Sequence, residues 1–396
     1  MPESLMTPFH DWLVQLRRHF HQHPELAYRE HETAAKIAEV LAELGVEDVR
    51  TAVGGTGVVA TLSAKTPGPV VAMRADMDAL PLDELNEVDY RSKRPGVMHA
   101  CGHDGHVTMA LGTVRYLIES GWLEKGRGKV LFFFQPAEEG GAGAKAMIDA
   151  GALGSEPIGA IFAAHLQPEM PQGEIGFSLA ESNAASDTVR FVITGRGGHG
   201  SQPNRCIDPI VAGAYLVTQL QTVVSRTVPP LESVVLSIGS FDAGTASNII
   251  PQEAVLRGTL RTFRPELRQE VLKRLEGLAR GLELSHGVKV AFTVSGGYPV
   301  LVNNERIVRF AMEKGEELLG QGKALLQPPR MGSEDFSYFL QKIPGVFIRL
   351  GCHNPMEGFN YGLHSPRFDF DERTLDVGVR LFAKLLTDYI EQSKAS

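Results

Sequence analysis

The chain has 396 residues, long for a single domain and of a length that suggests two or three folding units. Its 43% hydrophobic and 22% charged content is that of an ordinary globular protein rather than a disordered one. The net charge of -8 and the sequence pI of about 5.9, with no long Lys/Arg run, argue against nucleic acid as a main partner, because phosphate binding needs a concentrated basic surface.

The N-terminal stretch has no basic head followed by an apolar core, so no secretory signal is expected. No apolar run is long enough to span a bilayer. Cys101, Cys206 and Cys352 are too few and too scattered for a disulfide framework. A reducing cytoplasm is the simplest home and leaves the thiols free. Cys206 and Cys352 read as buried or incidental thiols.

In chain order, residues 9–20 read as an amphipathic helix. Residues 30–44 read as a second, with Ala34, Ile37, Ala38 and Leu41 on one face and Gly45 where a left-handed cap is wanted. Short apolar, β-branched runs at 58–62 and 70–73 predict strands. Residues 107–119 predict a helix, followed by Gly121. Residues 130–134 and 160–164 predict two buried strands. The alternation implies an α/β fold, a mostly parallel sheet with helices on both faces.

The pattern changes near Asp187. Strand 188–194, helix 209–224, strands 234–240 and 254–261, helix 266–282 and strand 288–294 have the order of a ferredoxin-like α+β sandwich. After Pro299 the earlier pattern returns, with helix 305–319, strand 346–350 and helix 372–391. The expected organisation is a catalytic domain in two parts, 1–186 and 298–396, interrupted by an inserted domain at 187–297.

Five segments carry candidate chemistry. In His99-Ala-Cys101-Gly-His103-Asp104-Gly-His106, a thiolate and an imidazole two residues apart among glycines can face one ion. The alternative is a redox or merely buried cysteine. Phe132-Phe-Phe-Gln-Pro-Ala-Glu138-Glu139 carries an apolar strand into two adjacent carboxylates, one able to bind metal while the other moves protons. The alternative is a solvated acidic loop. His165 ends the predicted strand at 160–164, and His364 sits in a late loop. A lone histidine in either place is more often structural than a ligand. Arg74-Ala-Asp76-Met-Asp78 ends the strand at 70–73 and could equally be an acidic loop or a local ion pair. Four of the five flank apolar strands, where an open α/β sheet forms its cleft. His10, His19, His21, His23 and His31 cluster near the N-terminus. They read as a solvated helix and a turn at His23-Pro24 and are given no role.

Together, Arg74-Ala-Asp-Met-Asp-Ala-Leu-Pro81, the His99–His106 segment, Gln135-Pro-Ala-Glu-Glu-Gly140, Gly197-Gly-His199-Gly-Ser-Gln-Pro203 and Gly332-Ser-Glu-Asp-Phe336 resemble the metal-dependent aminoacylase and carboxypeptidase clan. Within it the chain is similar to the branch of hippurate hydrolases, N-acyl-L-amino-acid amidohydrolases and plant indoleacetyl-amino-acid hydrolases. His21-Gln-His-Pro-Glu-Leu26 fits the same branch, and the resemblance runs over essentially the whole chain.

The resemblance implies hydrolysis of the amide bond of a small N-acyl amino acid, acetyl, benzoyl or similar, with two divalent metal ions as cofactors: zinc, manganese, cobalt or nickel. Cys101 would bridge the ions, and His103, Glu139, His165 and His364 would complete the two sites. Glu138 would be the general base and acid. His199, from the inserted domain of a partner subunit, would stabilise the oxyanion, and Asn248 would contact substrate. The inserted domain would be the dimerisation or lid domain, giving a homodimer or a dimer of dimers. Many relatives carry His-X-Asp where this chain has Arg74-Ala-Asp76, so Arg74 is not counted a ligand, and Asp76 is expected to orient a ligand by a hydrogen bond. Rival readings are a desuccinylase or dipeptidase of the same clan, a cysteine hydrolase using Cys101 and His103, and a non-catalytic small-molecule-binding relative.

Overall fold

The computed structural model describes residues 6–393, and these form two compact units. One comprises the described chain up to Ser182, Val302–Pro328 and the chain from Asp335 onward; the other comprises Asn183–Leu301 and Pro329–Glu334.

The first unit is built on an eight-stranded mixed sheet. Its order is Asp48–Val53, Gly57–Ser63, Arg127–Gln135, Thr66–Asp76, Ile158–Pro171, Gly345–His353, Ile175–Phe177 and Ala324–Leu326. The central strands Arg127–Gln135, Thr66–Asp76, Ile158–Pro171 and Gly345–His353 run parallel to one another. Parallel strands need cover on both faces, and the sequence supplies it through period-two alternation. Phe132 and Phe134 join the core of the helical layer, with Leu13 and Phe20 of the helix Met6–Gln22, Val114 of His103–Glu119 and Leu385 of Arg373–Gln392. Phe133 points the other way and stacks on Phe339 of the short helix Ser337–Leu340, with ring centroids 5.2 Å apart. All three phenylalanines are buried, so a segment that shows no alternation in polarity still alternates in direction.

The second unit is a four-stranded antiparallel sheet, ordered Val234–Ala243, Glu253–Thr262, Ala185–Thr194, Lys289–Gly296. With the helices Pro209–Thr227 and Pro265–His286 this is the ferredoxin-like arrangement. In Ala185–Thr194, Val189, Phe191 and Ile193 face the core, as expected of a strand with one covered face. Asp208 caps the first helix by accepting the Ile210 N–H at 2.8 Å, with Pro209 at the first helical position.

Two element boundaries differ from expectation in ways that matter. The helix expected from residue 107 begins at His103. Its first turn carries Gly105, at which a Cβ would lie 2.8 Å from Phe370 Cζ, so close packing rather than helix propensity decides the residue there. The strand expected to end before His165 continues to Pro171, because His165 and Gln167 keep pairing with Arg349 and Gly351 of Gly345–His353. Among the described residues no helix is long and apolar enough to cross a membrane.

The reading of the N-terminal histidines as a solvated group is corrected at His21, which is fully buried. Its Nδ1 lies 2.8 Å from Asp104 Oδ2 and its Nε2 3.2 Å from Glu84 Oε1. Asp104 Oδ2 also accepts from Arg17 Nε at 2.9 Å, and Arg17 donates to Asp369 at 2.7 Å. The first helix is therefore tied to the His103 turn by buried charge. Burial and Arg17 oppose a positive His21, but the hydrogen bonds to Asp104 and Glu84 outweigh them and raise its pKa from 6.5 to about 9. A raised folded pKa stabilises fully below about pH 6.5, and the contribution is lost as pH rises through about 9. Wild type should therefore lose stability relative to His21→Gln between those limits, by on the order of 3 kcal/mol. Urea midpoints of both proteins across this range check it, and a pH-independent difference would overturn the assignment of an imidazolium.

Candidate active site

The carboxyl ends of the parallel strands bring the chemistry-bearing residues together. Asp76 pairs with Gln135 across the sheet, and Arg74 pairs with Ala163, two residues before His165. The level of Asp76 is thus also where the second strand delivers Glu138 and Glu139 and the third delivers His165. An open α/β sheet forms its cleft at this edge.

Cys101 Sγ lies 3.3 Å from His165 Nε2. His165 Nδ1 donates to the Leu166 carbonyl at 2.8 Å, which leaves Nε2 as the free lone pair facing the thiol. His103 is oriented in the same way. Its Nδ1 donates to the Asp78 carbonyl at 2.8 Å, while its fully buried Nε2 has no hydrogen-bond partner. His364 Nε2 stands 3.1 Å from Glu139 Oε1 as an ion-pair contact without hydrogen-bond geometry. The His364 loop is fastened to the cysteine loop by its own N–H, which donates to the Ala100 carbonyl at 2.8 Å. His364 holds a left-handed backbone, φ +63°, a conformation that costs a non-glycine residue roughly 1–2 kcal/mol and collects at functional sites.

Two donor triads result, Cys101–His103–His165 and Cys101–Glu139–His364, each with its ligand atoms within 4.8 Å of one another. Cys101 belongs to both. Glu138 lies beside them, within the same distance of His103 and Glu139. The donor set of thiol, three imidazoles and carboxylate suits a borderline divalent transition metal. The electrostatics fit as well: burial raises the Cys101 thiol well above its usual value and lowers His165 to about 3. A thiolate at Cys101 therefore needs compensating positive charge, and His165 presents a neutral lone pair. Orphaned buried polar atoms such as His103 Nε2 are rare in native structures and call for a partner.

Asp76 does not contact the two triads through a short hydrogen bond. Its Oδ1 lies 2.5 Å from His106 Nδ1, and its Oδ2 accepts from Arg74 at 2.5 Å and stands 3.7 Å from His103 Nε2. His106 Nε2 in turn accepts the Leu166 N–H at 3.0 Å, so Asp76 acts on the backbone next to His165. Burial disfavours the Asp76 anion, but Arg74, His103 and His106 outweigh it and hold the carboxyl well below its usual range.

The sequence reading assigns no role to His106 or Asp78. Asp78 accepts the backbone N–H groups of Glu138 at 3.0 Å and Glu139 at 2.9 Å, while its carbonyl holds His103. Its place in the Arg74–Pro81 motif was the available signal. His199 and Asn248 lie in the second unit, both exposed. They meet at a short antiparallel pairing of two segments distant in sequence, where His199 pairs with Ile249 and Gly200 N–H donates to the Asn248 carbonyl at 2.8 Å.

Comparison with known proteins identifies the family. The sequence model described as Peptidase family M20/M25/M40 matches residues 72–388. N-acetylcysteine deacetylase of Bacillus subtilis is 38% identical over 386 residues, covering 98% of this chain and 99% of its own. IAA-amino acid hydrolase ILR1-like 4 of Arabidopsis thaliana is 38% identical over 392 residues, covering 98% of this chain and 88% of its own. Among solved structures, the Bacillus subtilis YXEP protein, described as a dinuclear metal binding peptidase, superposes with a TM-score of 0.82 at 35% identity, covering 97% of this chain and 99% of that one. The match of family, length and fold makes this chain a member of the peptidase M20/M25/M40 family and a metal-dependent hydrolase.

Proposed function

We propose that the protein hydrolyses the amide bond of small N-acyl amino acids, using divalent cations that Cys101 and the donors around it would hold. The observation that carries this reading is the pair of donor triads sharing one thiol, with a buried carboxyl, Glu138, at their side. His103 and His165 would complete one site and Glu139 and His364 the other. The relatives named as an N-acetylcysteine deacetylase and an IAA-amino acid hydrolase support an acylated amino acid as the substrate class. Zinc, manganese, cobalt and nickel all suit the donors. Three free thiols favour a reducing cytoplasm.

Bound at these donors, divalent cations supply Lewis acidity that lowers the pKa of a water and polarises a carbonyl. Glu138 takes the proton of the attacking water as its oxygen bonds to the acyl carbon. The C–N bond then breaks, Glu138 delivers that proton to the leaving nitrogen, and a carboxylic acid and a free amino acid result. Asp78 keeps Glu138 and Glu139 in register by holding both of their N–H groups. We read residues 187–297 as the dimerisation or lid domain of a homodimer or dimer of dimers. His199 from a partner's copy of it would donate to the oxyanion, a role worth about 3 kcal/mol, and Asn248 would contact substrate.

Protein purified without chelator should carry close to two equivalents of transition metal per chain, read by elemental analysis. Its hydrolysis of N-acetyl- and N-benzoyl-amino acids should vanish on chelation and return on reloading. Activity that survives complete metal removal would sink the metal reading and favour Cys101 as a nucleophile. N-succinyl amino acids and dipeptides in the same panel separate a desuccinylase or dipeptidase.

Glu138→Gln should keep its metal and lose about 100- to 10,000-fold in turnover; near-normal turnover rejects Glu138 as the base. His199→Ala should lose about 100- to 1,000-fold in kcat, and unchanged turnover would reject the oxyanion role.

A further inference from the structure

The turn that carries Glu138 and Glu139 is strained at both ends. Ala137 has φ +53° and Ala142 φ +55°, each an unfavourable conformation for alanine that persists only where the surroundings enforce it. Three buried carboxylates do the enforcing. Asp78 takes the N–H groups of residues 138 and 139, Asp335 takes the Ala144 N–H at 2.9 Å, and Glu30 Oε1 takes the Ala137 N–H at 2.9 Å.

Glu30 stands out because it reaches the turn from far away in sequence. It occupies the N-cap position of the helix His31–Glu43, yet its side chain makes no cap hydrogen bond. The first-turn N–H of Thr33 goes instead to Glu25 Oε2, at 2.8 Å. The Glu30 carboxyl is fully buried and is fixed from the other side by Thr56 Oγ, which donates to its Oε2 at 2.5 Å. Burying a carboxyl carries a desolvation penalty, and here one oxygen holds the residue immediately before Glu138 while the other is held by the Thr56 hydroxyl.

We propose that Glu30 is a positioning residue for the hydrolytic reaction: by holding the Ala137 N–H it enforces the left-handed backbone at Ala137 and thereby sets the direction in which the Glu138 carboxyl projects. The inference rests on Glu138 as the general base. A misplacement of about 1 Å at a catalytic group can cost on the order of 100-fold in rate, so loss of this single acceptor is enough to register in turnover.

The test compares Glu30→Ala, Glu30→Gln and Glu30→Asp in the metal-loaded protein, reading kcat, KM and metal content. Glu30→Ala should lower kcat roughly 10- to 100-fold, with KM within about twofold of wild type and metal content unchanged. Glu30→Gln should restore most of the turnover, because its amide oxygen reaches the same N–H while its NH2 faces the Thr56 hydroxyl. Glu30→Asp keeps the charge but draws the acceptor back by one methylene; it should lose kcat, and it decides the matter if the alanine variant does not fold. Wild-type kcat in Glu30→Ala, or in Glu30→Asp in its stead, overturns the proposal, as does a glutamine variant no better than alanine or a loss of metal in step with kcat. If Glu138→Gln is inactive while Glu30→Ala turns over normally, only the positioning role fails. If Glu138→Gln is itself active, the base assignment fails on its own.

Discussion

Asp78 is the residue on which the rest of the site depends. One short side chain and its carbonyl bind three backbone or ring N–H groups from two other segments of chain: His103 Nδ1, Glu138 N and Glu139 N. The bond to His103 fixes which ring nitrogen faces the neighbouring donors, and the bonds to residues 138 and 139 fix a turn that the backbone would not adopt unaided. Asp78 follows directly on the Thr66–Asp76 strand, whose pairing on both sides makes it among the stiffest positions available. Asp78 thus passes part of the sheet's rigidity to the donors through both its carbonyl and its carboxylate.

Around this centre the protein buries an unusual amount of charge. Arg74 donates to Asp76 and Asp335, and Arg17 and His21 converge on Asp104. Such clusters are weak contributors to net stability, because desolvation offsets most of the attraction. Their geometric effect is stronger. Each charge has its partners at hydrogen-bond distance, so the segments that carry them have little freedom to shift. The first cluster, through Gln135, joins the ends of the strands Thr66–Asp76 and Arg127–Gln135 to the Asp335 loop; the second joins the first helix, the His103 turn and the chain after His364. The donors at residues 101, 103, 139, 165 and 364 are scattered in sequence, and these networks brace segments next to them while Asp78 holds His103 and Glu139 directly.

The order of strands and helices was legible because the apolar periodicity of the long elements is strong, and residues 305–319 were read to the residue. The three-residue strands Ile175–Phe177 and Ala324–Leu326 were not, since so few residues carry no period. His103 looked like a loop residue because Gly102, Gly105 and the polar residues between them are poor helix formers, a preference overridden by contact with Phe370 and Leu166. In the site, the donor types and their nearness to strand ends could be read from spacing and resemblance. The roles of Asp78, Glu30 and His106 could not, because a carboxylate or imidazole that holds a distant N–H is defined by tertiary placement alone. His21 misled for the same reason: its partners Glu84 and Asp104 lie far along the chain.

The strand Gly345–His353 pairs with Ile158–Pro171, and almost half of the sequence is made between the two. A growing chain therefore exposes one edge of its central sheet throughout synthesis of the second unit, and closing so long a loop is slow. The edge is completed only when residues 345–353 emerge, and His364 arrives later still. Assembly of the donors is thus a late event in the life of each molecule: a nascent chain, however well its early strands have formed, holds Cys101 and His165 without the partner that closes the second triad. Unpaired strand edges of this kind are the surfaces on which folding intermediates aggregate, which makes the interval before residue 345 is synthesised the vulnerable one.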